Sequence, residues 1–195
     1  MADIDLLPEA PRVIGISGKI GAGKSEVAGT LSAWGFARLE FAGPFKAALM
    51  AILLADGHPR GAAHDLVYGA RKNEPCDTFC GQTMRHARQS LGTGWGRDQI
   101  GADCWAGIVE RRIARELAAG RRVVVEDVRY PNEAAVIRGA HPSAEIWQIT
   151  GRASAAGVAA AHCSEAFDLP DPDLILHNSG TLDALEAQVL EYILG

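Results

Sequence analysis

The sequence lacks any apolar run long enough to cross a bilayer, so no membrane span is expected. It also lacks a basic excess: 19 Lys and Arg stand against 24 Asp and Glu, giving a net charge of −5. Such a balance argues against broad nucleic-acid binding, which needs cations to neutralise a phosphate backbone. Only four cysteines occur, at 76, 80, 104 and 163, without a disulfide framework. Cys76 and Cys80 are four apart and Cys163 follows His162, which is not the usual paired zinc spacing, so free thiols and no structural metal are expected. The opening "MADIDLLPEAPR" is acidic and short of apolar residues, so no signal peptide is expected and the reading is cytoplasmic. The base-reading N-K-x-D of GTP-binding switches is missing as well.

What the chain does have is 195 residues with 48% hydrophobic content, enough for one domain with a sizeable core. Apolar runs alternate with helical patterns, which predicts an α/β fold with a parallel sheet covered by helices on both faces. Expected strands are Val13–Ser17, Ala37–Phe41, Arg122–Asp127, Glu145–Thr150 and Leu174–His177. Expected helices run over roughly 23–34, 44–54, 82–91, 103–119, 132–138 and 182–194. In the helix over 103–119, Trp105, Ile108, Val109, Ile113 and Leu117 recur at helical spacing and read as a core face. Between the second and third helices, "ADGHPRGAAHDLVYGARKNEPCDTFCG" reads as a long functional or partly mobile loop.

The first strand leads into "GISGKIGAGKSEVAG", where Gly18 to Ser25 fit G-x-x-x-x-G-K-[ST] at every fixed position. This is a phosphate-binding loop by its chemistry. Gly18, Gly21 and Gly23 let the backbone turn tightly and bring N–H groups against phosphate oxygens. Lys24 is placed for the β- and γ-phosphates and Ser25 for Mg²⁺, while the following helix turns its positive end to the same anion. The expected nucleotide contacts are therefore Gly18, Gly21, Ala22, Gly23, Lys24, Ser25 and Glu26. Further along, "RRVVVEDVRYPNEA" is an apolar strand ending in Glu126-Asp127, at the sheet edge where ligands of open α/β folds gather. Asp127 could hold Mg²⁺ through water or orient an acceptor, and Arg129 could clamp a phosphate.

"DVRYPNEA" resembles the D-V-R-[FY]-P-N-E motif of phage-type deoxynucleoside monophosphate kinases. Three more stretches agree in order: "FAGPFKAAL" at 41–49, "MRHARQSLGTGWGRD" at 84–98 with Trp105 following, and "HCSEAFDLPDPDLILHNSGTLDAL" at 162–185. Gly94 stands where that family more often has an acidic residue, and Ser25 where it often has Asp. The resemblance implies a single nucleoside monophosphate kinase-like domain of five parallel strands over 1–195, with an acceptor-binding insertion at about 42–105 and a short lid at about 152–163. It implies transfer of the γ-phosphoryl group of ATP, with Mg²⁺, to a deoxynucleoside monophosphate, by a monomer or homodimer.

The same resemblance assigns roles. Lys24, Asp127, Arg129 and Arg152 are the expected catalytic residues, Arg152 acting from the lid, and Ser25 and Asp127 serve the metal. Lys46, Lys72, Arg85, Gln89, Arg97, Trp105 and Arg129, with Lys19 of the loop, are expected at the acceptor. Arg85 and Arg129 would grip its phosphate, with Gln89 and Trp105 near the sugar or base. His162 and Glu165 match the family's H-x-S-E, and capping or packing is their default role. "HNSGT", 177–181, matches a turn expected near the adenine. Two other readings stay open: another small-molecule kinase, such as one resembling dephospho-coenzyme A kinase, and a nucleotide-binding regulatory subunit without turnover.

Overall fold

A computed structural model describes residues 10–151 and 171–195. It has five parallel strands in the order β2-β3-β1-β4-β5, where β1 is Val13–Gly18, β2 Ala37–Glu40, β3 Val123–Glu126, β4 Ala144–Thr150 and β5 Leu174–His177. Seven α-helices are described: α1 Lys24–Ala33, α2 Gly43–Ala55, α3 Arg60–Tyr68, α4 Met84–Gln89, α5 Cys104–Ala118, α6 Pro131–Ala140 and α7 Leu182–Leu194. The expected α/β architecture, with five parallel strands between helices, is what the structure shows. The lid expected at 152–163 lies outside the described residues, as do Arg152, His162 and Glu165.

The chain forms two compact units, one made of 1–41 with 109–195 and the other of 42–108. All five strands belong to the first. β1 and β3 read as continuous apolar runs because both their faces are buried. On one face, Ile14, Ile16, Val124, Trp147, Ile149 and Leu176 pack with Val27, Ala28 and Leu31 of α1 and with Leu185, Val189 and Ile193 of α7. On the other face α6 comes close enough that a side chain at Gly15 would stand 3.0 Å from both Ile137 and Val128.

In the second unit, α2, α3 and α4 bury Leu49, Leu53, Ala63, Leu66, Val67, Met84 and Ala87 together with Cys76. The stretch read as a long loop is largely ordered structure. Ala63, Leu66 and Val67 supply α3 with a buried face at helical spacing. Two short 3₁₀ turns follow, Ala70–Asn73 and Asp77–Phe79. Thr78 ties the second of them to the end of α2 by donating to Asp56 at 2.5 Å.

The helix expected over 82–91 also differs. Thr83 caps α4 by accepting from His86 N–H at 3.1 Å, and from Ser90 to Ile100 the chain widens into a π-type helix. The widening accommodates Trp105. Its indole N–H donates to Gly92 O at 2.7 Å, and the ring occupies the space where a side chain on Gly96 would be.

Candidate active site

β1 ends at Gly18 and α1 begins at Lys24, so the glycine-rich loop bridges the C-terminal edge of the sheet and a helix N-terminus. Gly18, Gly21 and Gly23 all have positive φ, at 144°, 78° and 104°, the region that glycine enters without steric cost. The N–H groups of Glu26 and Val27 donate to Gly23 O, whereas those of Lys24 and Ser25 lie too early in α1 for an intrahelical partner. The loop therefore presents backbone donors and a helix dipole to one spot, which suits an anion.

Lys24 is less exposed than its place in a loop suggests. Its Nζ donates to Gly18 O at 2.7 Å and to Lys19 O at 2.9 Å, and stands 3.5 Å from Asp127 Oδ1. Arg129 approaches the same carboxylate oxygen, also at 3.5 Å. Asp127 is thus flanked by a cation from the loop and a cation from its own segment. It leaves β3 with φ 60°, a left-handed conformation that aspartate tolerates better than most residues.

The carboxylate beside Ser25 is not the one the sequence singled out. Ser25 Oγ donates to Glu126 Oε2 at 3.0 Å. Strand alternation explains this, because Glu126 shares a face with Val124, and Val124 packs in the cluster that includes α1. Asp127 lies past the end of the strand and falls out of that register. Glu126 is nearly buried and also accepts from Arg38 Nε of β2. That hydrogen bond holds the Arg38 guanidinium above its ordinary pKa against the opposing effect of burial.

Val128, Pro131 and Glu133 of the D-V-R-Y-P-N-E stretch are scaffold. Val128 is buried and its N–H donates to Ile16 O at 3.0 Å. Pro131 opens α6, and buried Glu133 turns back to accept from the N–H groups of Arg129 at 2.8 Å and Tyr130 at 3.2 Å. Arg129 is thereby fixed at a helix start. Glu126 was read in the sequence only as one of two carboxylates at the sheet edge, and Glu133 and Arg38 were given no role, although Glu133 was visible as an acidic residue three positions into a helix, where capping is common.

The expected residues Lys46, Lys72, Arg85, Gln89, Arg97 and Trp105 belong to the second unit. Lys46 is buried on α2, with Nζ 5.3 Å from the centre of the Tyr68 ring. Arg85 on α4 donates to Asn73 Oδ1 at 2.8 Å, which brings it to the turn that carries Lys72. Gln89 is exposed at the end of α4, and Arg97 donates to Ala102 O at 3.3 Å. Trp105 is buried edge-on to Phe45 at 5.3 Å, with Trp95 at 5.8 Å. Its N–H is committed to Gly92, so it offers no hydrogen bond to a base. Lys19 is exposed, Ala22 is buried beneath the loop, and Glu26 points outward from the first turn of α1.

No protein-family model and no curated protein matches the sequence. Among solved structures, the chain is similar to an unliganded sugar kinase from a Janibacter species, with a TM-score of 0.50 and 13% identity over 93% of this chain and 94% of that one. It is also similar to a protein of Thermus thermophilus, with a TM-score of 0.48 and 20% identity over 96% and 100% of the two chains. The first likeness spans nearly the whole of both chains and concerns the α/β fold.

Proposed function

We propose that the chain is an ATP-dependent phosphotransferase that phosphorylates a deoxynucleoside monophosphate. The observation that carries the reading is the meeting of Lys24, Ser25, Glu126, Asp127 and Arg129 at the end of β1 and β3, beside a loop shaped for phosphate. The Ser25 hydroxyl is a hard-oxygen donor that would suit Mg²⁺, and the Glu126 carboxylate that accepts from it would orient it as an outer partner. When bound, the ion would neutralise charge on the β- and γ-phosphates.

The chain's own residues do the rest. The loop N–H groups and Lys24 hold the triphosphate and meet the charge that shifts toward the leaving oxygen. Asp127 keeps Lys24 and Arg129 together, which readies two cations before the substrates arrive. Arg129 is the candidate to hold the acceptor phosphate, a bidentate task for a planar guanidinium. Arg152, outside the described residues, is proposed to assist on the sequence resemblance alone. On the sequence resemblance, Lys46, Lys72, Arg85 and Arg97 are proposed acceptor contacts.

An assay of ADP release with the common deoxynucleoside and ribonucleoside monophosphates, and with a hexose and dephospho-coenzyme A as alternative acceptors, tests the proposal. Stimulation by a deoxynucleoside monophosphate alone is expected. Stimulation only by another acceptor would reassign the substrate, and none at all would leave a nucleotide-binding protein without this turnover.

A further inference from the structure

Asn178 directly follows β5 in the first unit and is 1% exposed. Its Nδ2 donates to Ala22 O of the phosphate loop at 2.8 Å, across 156 positions of sequence. Its Oδ1 is buried and has no hydrogen-bond partner among the described residues. The orientation of the amide follows from Ala22, since the flipped form would set two oxygens against each other.

The contact is held from both sides. Asn178 N–H donates to Thr150 O at 2.8 Å, and the adjoining His177 is clamped by the Gln188 amide, which accepts from its N–H and donates to its O, each at 3.0 Å. A side chain at Gly151 would fall 2.9 Å from the Asn178 backbone. Opposite, Gly23 approaches so closely that a side chain there would stand 2.7 Å from Asn178 Nδ2.

The peptide joining Ala22 to Gly23 is trans, so its C=O and N–H point in opposite directions. Tying the carbonyl to Asn178 turns the Gly23 N–H away from β5. It also keeps a carbonyl dipole from facing the anion. We infer that Asn178 is a positioning residue for the phosphate loop, acting through the Ala22 carbonyl, an inference that rests on reading the loop as a phosphate site. A packing role alone does not account for an amide here. Leucine would fill a similar volume without burying an unpartnered oxygen, which costs free energy. The donor half of the amide is what the position requires.

Calorimetric titration of the full chain with tripolyphosphate, beside thermal melting, tests this. Asn178→Leu is expected to melt close to the parent protein yet bind tripolyphosphate about tenfold more weakly, the worth of one oriented hydrogen bond. Asn178→Ala should lose a similar factor when titrated well below its melting temperature, and it carries the test if the leucine does not fit. A merely structural residue would lower the melting temperature and leave the affinity of the folded protein alone. Unchanged affinity in the folded variants overturns the inference. Failure of the parent protein to bind tripolyphosphate overturns the phosphate-loop reading and this inference with it.

Discussion

Ser25 and Glu126 are joined by a 3.0 Å hydrogen bond that links the first turn of α1 to the last residue of β3. A serine hydroxyl donating to a carboxylate keeps its lone pairs directed elsewhere, which is the orientation a metal ligand needs.

Glu126→Gln should therefore raise the Mg²⁺ concentration needed for half-maximal phosphotransfer by about 10- to 100-fold, the usual effect of removing an outer partner of a metal ligand. Steady-state rates against Mg²⁺ concentration check this. The same curve in variant and parent would make Glu126 a partner of Arg38 only.

Lys24→Met should abolish measurable transfer. Because Nζ also holds the Gly18 and Lys19 carbonyls, the variant should exchange the amide hydrogens of residues 18–23 faster than the parent protein, while the sheet amides stay protected. Hydrogen exchange read by mass spectrometry separates these two regions. Retained turnover would remove Lys24 from the chemistry.

Arg129→Ala should raise the KM for the monophosphate with little change in that for ATP, by a loss of roughly 1.5–3 kcal/mol in acceptor binding. Initial rates with each substrate varied in turn give both constants. A matching rise in both would place Arg129 between the two nucleotides.

Gly96→Ala should destabilise the second unit by about 1–3 kcal/mol, since the Trp105 indole fills the space a methyl group would take. Gly94→Ala is the control, with nothing within 4 Å of the corresponding position, and should leave stability nearly unchanged. Urea unfolding followed by tryptophan fluorescence compares them. Equal midpoints would mean that the wide helix yields without cost.

β1 and β3 were legible because burial on both faces writes them as short apolar runs such as Val123–Val125, and the less buried β5 was still placed residue for residue. The phosphate loop was legible because its glycines and lysine are local in sequence. Helix α3 was not, since Gly57, Pro59, Gly61 and Gly69 surround a buried face of only three residues, Ala63, Leu66 and Val67. The wide helix at 90–100 has a spacing that α-periodicity does not match, and its cause, the Trp105 ring, lies outside the segment. The choice of Asp127 over Glu126 beside Ser25 turned on strand register, which two adjacent carboxylates leave open. Asn178 acts on Ala22 from the far end of the chain, and no local pattern announces that pairing.

The order in which the chain is synthesised meets the order of the strands awkwardly. β1 is flanked by β3 and β4, so the strand made first must wait for residues 123–126 and 144–150 before either neighbour exists. The unit at 42–108 is continuous in sequence and has all of its own residues well before then. On a ribosome it can therefore complete its core first, while the apolar residues of β1 remain unpaired. A nascent chain halted when residue 108 has cleared the ribosome but residues 123–126 have not should protect 42–108 from protease and leave 13–18 open to attack.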